Sequence, residues 1–185
     1  MNVSIPRIMF AIALALFAAP LTASEQPKVG TKAKDFELLN LAGGETKLSK
    51  LTADGPVVLV VLRGYPGYQC PFCNTQVAEF LGKADEFKKA GAKVVFVYPG
   101  SADGLKQHAE EFTKTKTIPA HVAFLLDPDY MFANAYGLRW EERSETAYPS
   151  TFVIDGELKV KFARISHTHG DRASAADVLK ALGKK

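Results

Sequence analysis

The chain predicts an α/β fold, a three-layer sandwich built on a central mixed β-sheet. Three observations predict it. Val57–Leu62, Val94–Tyr98 and His121–Leu126 are short, largely apolar runs without alternation, the signature of strands buried on both faces. Helical apolar periods separate these runs. The pattern then changes: Thr151–Ile154 and Leu158–Arg164 flank Asp155-Gly156, as the arms of a hairpin flank its turn. Strands alternating with helices and then closing in a hairpin bury their apolar faces when helices cover both sides of one sheet.

Taken in order, Ile8–Ala19 is nearly all apolar, preceded by Arg7 and followed by the small residues Ala18, Ala19, Thr22, Ala23 and Ser24. That is the pattern of a secretory signal peptide over residues 1–23, cleaved after Ala23 or Ser24. It is short for a membrane span, and no cysteine lies near the cleavage zone to take a lipid. Export, to the periplasm, is the expected localisation, with no stable membrane contact once the leader is removed. The remaining residues, 24–185, have the length of a single domain.

Ser24–Lys34 reads as an extended polar lead-in. Phe36, Leu38 and Leu39 suggest a short strand, Gly43-Gly44 its turn and Thr46–Leu48 its return. Ser49–Pro56 reads as a loop, and the Val57–Leu62 strand ends at Arg63 and Gly64. In the next helix Cys73, Val77, Phe80, Leu81, Ala84 and Phe87 share one face, and Gly91 is a natural stop. Pro99–Gly104 turns into a helix over Leu105–Thr113. Asp127-Pro128-Asp129 closes the third strand, a short helix spans Tyr130–Tyr136, and Ser174–Leu182 is amphipathic with Ala176, Val178, Leu179 and Leu182 inward.

The formal net charge is +3 over 185 residues, too little to point to nucleic acid or an anionic membrane as partner. No Gly-x-Gly-x-x-Gly follows a strand, so no nucleotide or flavin is expected, and no cofactor is assigned.

The chemistry gathers in Pro66-Gly67-Tyr68-Gln69-Cys70-Pro71-Phe72-Cys73, which holds both cysteines of the chain. A buried strand delivers this dithiol to a helix N-terminus, where unpaired N–H groups favour a thiolate. Pro71 suits the first helical turn, having no N–H to leave unpaired. A disulfide across three residues removes little unfolded-chain entropy, so a structural staple is disfavoured and thiol–disulfide chemistry favoured. Cys73, on the apolar helix face, is expected to be buried, and Cys70, at the helix end, more accessible.

The order of elements, with Cys-Pro-x-Cys after the first core strand, resembles the thioredoxin fold. Val29-Gly30-Thr31 through Phe36-Glu37-Leu38, Leu126-Asp127-Pro128-Asp129 with Ala135-Tyr136-Gly137, and Pro149-Ser150-Thr151-Phe152-Val153-Ile154-Asp155 resemble the alkyl hydroperoxide reductase / thiol-specific antioxidant family, the peroxiredoxin-like redoxins. The thioredoxin resemblance implies Cys70 as nucleophile, Cys73 as resolving thiol, and a cis Tyr148–Pro149 bond with Tyr148 and Pro149 lining the substrate groove. The peroxiredoxin resemblance implies a competing assignment: Pro66, Cys70 and Cys73 have the spacing of its peroxide site, with Cys73 attacking and Cys70 resolving. Two departures stand against that map. A cysteine replaces the usual Thr or Ser at position 70, and the family's arginine falls on Pro149. Arg63, at the end of the core strand, is a candidate to replace that arginine.

Two functions therefore compete, a thiol–disulfide oxidoreductase and a hydroperoxide reductase, with a partner protein's disulfide or a hydroperoxide as substrate. A third possibility is zinc or copper held by the two cysteines with help from His167 or His169. Tyr65 and Tyr68 flank the dithiol as a substrate platform or as loop packing. His167 and His169 read as a solvated loop or as contacts beside the dithiol. His108 is expected half-buried or exposed, and His121 structural. Trp140, in Arg139–Arg143, reads as packing at the domain edge.

Overall fold

The computed structural model describes residues 24–183; the leader expected over 1–23 lies outside them. Five strands form the central sheet: β3 (Val57–Val61), β4 (Lys93–Gly100), β5 (Val122–Pro128), β6 (Ser150–Ile154) and β7 (Val160–Ile165), in the order β5-β4-β3-β6-β7. The pairs β3–β4 and β4–β5 are parallel; β3–β6 and β6–β7 are antiparallel. The sheet is thus mixed, as the sequence predicts. A separate hairpin, β1 (Glu37–Leu39) with β2 (Glu45–Lys47), precedes it.

Every residue of β3 is buried, because alternate side chains enter two different cores. Val58 and Val60 face helices α2 (Pro71–Gly82), α3 (Ala84–Lys89), α4 (Leu105–Thr113) and α6 (Ala175–Leu182). Val57, Leu59 and Val61 face α1 (Leu48–Thr52) and α5 (Met131–Ala135). This period of two with both faces apolar produces the three layers.

Three local expectations are corrected. Ser49–Pro56 begins as helix α1, whose start is held by Asp35, accepting from the Ser49 amide at 3.0 Å and hydroxyl at 2.7 Å. The long helix after the dithiol breaks at Lys83, with φ −107° and ψ 10°, into α2 and α3; Phe80 and Phe87 still stack across the break at 5.5 Å. In α6 Ala175 and Val178 are buried and Leu179 and Leu182 pack against the same core, whereas Ala176 is exposed.

The register brings the site together. Val61 at the end of β3 pairs with Ser150 at the start of β6, and Ser150 pairs with Ile165 at the end of β7. The segments after β3, before β6 and after β7 therefore meet at one end of the sheet. Their residues carry the chemistry described next.

Candidate active site

Gly64 opens the path from β3 to the dithiol. Its φ of +73° is a left-handed conformation, and an added Cβ would lie 1.9 Å from the Pro99 carbonyl oxygen, so only glycine fits. The loop that follows is tied at two points. Tyr65 stacks on His108 at 3.6 Å between ring centroids. Gln69 donates to the His108 carbonyl at 2.8 Å and accepts from the Tyr98 hydroxyl at 2.8 Å. Tyr65 thus has a packing partner, and His108 is half-buried as expected.

Cys70 is the residue before helix α2, and Pro71 fills its first position. Both cysteines are free thiols. Cys70 is 1% exposed and Cys73 0%, which corrects the expectation of an accessible Cys70: the loop and the neighbouring side chains cover it. Of the pair, Cys70 is the more readily ionised. Its pKa is lowered to about 5, first by the Cys73 thiol, against the opposing effect of burial, and further by the Cys73 amide, Arg172 and Arg63. Burial pushes Cys73 the other way, well above an ordinary thiol, and the neighbouring Cys70 adds to the rise. Two thiols side by side with ionisation driven apart suit one attacking and one proton-bearing partner.

Two arginines flank the dithiol. Arg63, only 2% exposed, donates Nε to a Glu145 carboxylate oxygen, Nη1 to the Tyr68 hydroxyl at 2.6 Å and Nη2 to the Ser144 carbonyl at 2.7 Å. Burial opposes its charge, but Glu145 and Tyr68 outweigh burial, so the guanidinium stays protonated. Tyr68 therefore orients Arg63 through its hydroxyl, while its ring remains exposed. Burial also opposes ionisation of Glu145, yet Arg63 and then His169 hold its carboxyl below the usual carboxylate range. The second oxygen of Glu145 lies 2.9 Å from His169 Nε2.

Sequence reasoning did not single out Arg172. It reaches the dithiol from the loop after β7, donating Nη1 to Gln76 Oε1 at 2.8 Å and to Cys73 Sγ at 3.6 Å, and Nε to the His169 carbonyl at 2.7 Å. Among the described residues it makes no ion pair with a carboxylate, and its Nη2 is buried without a hydrogen-bond partner. Of the groups it contacts, only the dithiol can carry a negative charge. Arg172 lies 99 positions from Cys73, and no local spacing announces it; the signal is its position after the last strand, at the dithiol end of the sheet. Glu145, just past the charged stretch Arg139–Arg143, is likewise not singled out by the sequence.

The segment around Pro149 departs from the expected cis geometry. The Tyr148–Pro149 bond is trans, since there is no cis peptide among the described residues. The segment before β6 folds back on itself: the Tyr148 amide donates to the Leu138 carbonyl at 2.8 Å, the Trp140 amide to the Thr146 carbonyl at 3.1 Å, and Arg139 pairs with Ala147. The Ser150 hydroxyl donates to the Tyr148 carbonyl at 2.8 Å, and the Pro149 carbonyl accepts from the Ser166 amide. Tyr148 packs by its ring against Trp140 at 5.0 Å and His167 at 4.8 Å. Trp140 is thus buried beside the site, with His169 against it at 5.5 Å. Pro66 lies half-buried in the loop between β3 and α2. Among the described residues no group of three or more His, Cys, Asp or Glu could hold a metal ion, so neither histidine completes a site with the cysteines. His121, as expected, is structural, with Nε2 3.1 Å from the Ala84 carbonyl.

The fold that carries this dithiol has counterparts. Residues 29–163 match the model of the AhpC/TSA family. The chain belongs to that family. It is 30% identical to the peroxidoxin BcpB of Mycobacterium tuberculosis, whose crystal structure superposes with a TM-score of 0.70 over 85% of this chain and 97% of that one. It is 27% identical to the peroxiredoxin Bcp of Escherichia coli, over 72% of this chain and 83% of the relative. A peroxiredoxin-like protein of Aquifex aeolicus, 20% identical, gives a TM-score of 0.70 over 86% of this chain and 88% of its own, and shares the fold. As an AhpC/TSA protein the chain is an oxidoreductase on a thioredoxin-like frame.

Proposed function

We propose that the protein is a thiol-dependent peroxidase that cycles Cys70 and Cys73 between dithiol and disulfide. The Cys70 thiolate attacks the distal oxygen of a hydroperoxide. An S–O bond forms, the O–O bond breaks, and the alkoxide leaves with a proton as an alcohol, or as water from hydrogen peroxide. The sulfenic acid on Cys70 is then attacked by Cys73, giving the disulfide and water. Two thiols of a reductant, oxidised to a disulfide in turn, restore the dithiol.

The observation that carries this reading over attack on a protein disulfide is the covered dithiol. A partner disulfide has to reach the sulfur in line, with its chain laid beside Pro149. Here Cys70 is 1% exposed, and the backbone groups of Tyr148 are spent on Leu138 and Ser150. A hydroperoxide is small enough to enter where a folded partner is not. The names of the relatives, peroxidoxin BcpB and peroxiredoxin Bcp, support the same reading.

Arg172 favours a second assignment of roles. It stands 3.6 Å from Cys73 and supplies the arginine that the peroxiredoxin resemblance lacks at Pro149, which supports Cys73 as the attacking sulfur. One experiment separates the assignments: stopped-flow oxidation of the reduced protein by hydrogen peroxide, followed through Trp140 fluorescence, with Cys70→Ser and Cys73→Ser alongside. Loss of the fast phase in Cys70→Ser, and a trapped sulfenate in Cys73→Ser, support the proposed order. The reverse pattern assigns the attack to Cys73. A wild-type rate no faster than that of a free thiolate ends the peroxidase reading. The leader over 1–23 supports a periplasmic site of action, and fractionation of cells making the full chain should recover it there, shortened at Ala23 or Ser24.

A further inference from the structure

Both arginines beside the dithiol are carried by loops, and long cationic side chains hold one position only when something fixes them. Arg63 is fixed by the segment before β6. Glu145 takes its Nε, and the Ser144 carbonyl takes its Nη2 at 2.7 Å. Ser144 adopts φ +61° to turn that carbonyl, a left-handed conformation uncommon outside glycine and asparagine. The other oxygen of the same carboxylate meets His169 Nε2 at 2.9 Å, and the His169 carbonyl takes Arg172 Nε at 2.7 Å. The contacts run Arg63–Glu145–His169–Arg172–Cys73. One carboxylate spans the two arginine-bearing loops, which no other polar contact among the described side chains joins directly.

We propose that Glu145 is a positioning residue of the dithiol: through Arg63 on one side and His169 on the other, it holds both arginines against Cys70 and Cys73. This rests on the dithiol being the reactive centre but not on the identity of the electrophile. The charge of Glu145 and its geometry act in opposite directions. As a negative charge it repels a thiolate, so its removal alone would make Cys70 more acidic. As a strut it keeps two cations close, so loss of the strut makes Cys70 less acidic.

That opposition gives the test. The pH dependence of iodoacetamide alkylation of the reduced protein is measured for the wild type, Glu145→Ala and Glu145→Gln. A glutamine preserves the shape, accepts from Arg63 and can donate to His169, without the charge. The midpoint is expected to rise by about one unit in Glu145→Ala, roughly tenfold less thiolate on the acid limb, and to stay or fall in Glu145→Gln. Midpoints that stay or fall in both variants overturn the proposal, since the carboxylate then acts by charge alone or only as packing. Should Glu145→Ala fail to fold, His169→Ala and His169→Gln decide: a rise in the first restored by the second supports the strut, and no rise overturns it. Alkylation involves no peroxide, so a slow peroxide reaction in the wild type would sink the peroxidase reading while leaving this result to stand.

Discussion

At the scale of single residues, the site is defined by which charge answers which. Arg63 is answered by Glu145; Arg172 makes no ion pair among the described residues and meets the Cys73 sulfur instead. Arg172 therefore adds net positive potential at the sulfurs, whereas the charge of Arg63 is largely offset by Glu145, and its hydrogen bonds go to Glu145, Tyr68 and Ser144. Replacing Arg172 with glutamine keeps a donor for Gln76 but removes the potential. The Cys70 thiol should then titrate above about 5, with the peroxide rate near neutrality down about tenfold, a loss of about 1.4 kcal/mol in transition-state stabilisation. Thiolate absorbance against pH, beside the stopped-flow rate, checks it. Arg172→Lys should recover part of the loss, since a point charge restores potential but not the forked geometry. An unchanged titration in Arg172→Gln would mean that the helix terminus and the Cys73 thiol suffice. The dithiol itself is plain in the sequence, as two cysteines around a proline after a buried run. Of its cations, Arg63 is marked by its place at the end of the core strand, though its carboxylate partner lies 82 positions away; Arg172 is not marked, because it touches its sulfur from 99 positions away.

At the scale of elements, periodicity reveals what is periodic and is silent on what is held from a distance. The five strands of the sheet and helices α4 and α6 stand within a few residues of their predicted bounds, because each buries a regular apolar face. Helix α1 has too few residues to show a period, and its start is held by Asp35, 14 positions away. The break at Lys83 leaves Phe80 and Phe87 on one face, so the apolar pattern runs through it unaltered. The segment from Leu138 to Tyr148 is hidden for a similar reason: it closes on itself through backbone hydrogen bonds, which side-chain identity does not encode. Gly64 shows the opposite case, a backbone demand that the sequence states outright. Gly64→Ala adds a Cβ at 1.9 Å from the Pro99 oxygen at a positive φ, so β3 must part from β4 at its end or Arg63 must leave its place. Urea unfolding should show a loss of about 3 kcal/mol, and the dithiol should react more slowly even where the variant is folded. A variant as stable as the wild type would mean that the end of β4 gives way freely.

At the scale of the whole molecule, the low pKa of Cys70 makes stability depend on redox state and pH together. Folded, Cys70 titrates near 5; unfolded, it returns to the ordinary thiol range near 9. Between these values the unfolded chain binds more protons than the folded one, so the reduced form gains stability as pH rises, by up to about 1.4 kcal/mol per pH unit. That gain is fully present only above the unfolded value and is lost as pH falls through about 5. Cys73, raised by burial, acts with the opposite sign, but only above pH 9, where an unfolded thiol begins to ionise. Asp127 also titrates abnormally: burial lifts it to about 6 against the Phe132 and Ala133 amides that it accepts. Its folded form holds the proton more tightly, so its contribution is full below about pH 4 and lost as pH rises through 6. It does so in both redox states, and it cancels when they are compared. The disulfide form has no Cys70 thiolate to gain from. The melting temperature of the reduced protein minus that of the oxidised protein should therefore climb steadily from pH 5 to pH 9 and flatten below 5. Since a thiolate that stabilises the folded dithiol makes the disulfide easier to reduce, the same measurement reports how readily a reductant turns the cycle. A difference that stays flat across this range would mean that neither sulfur is ionised in the folded dithiol, and the attacking thiolate would have to arise only on encounter with substrate.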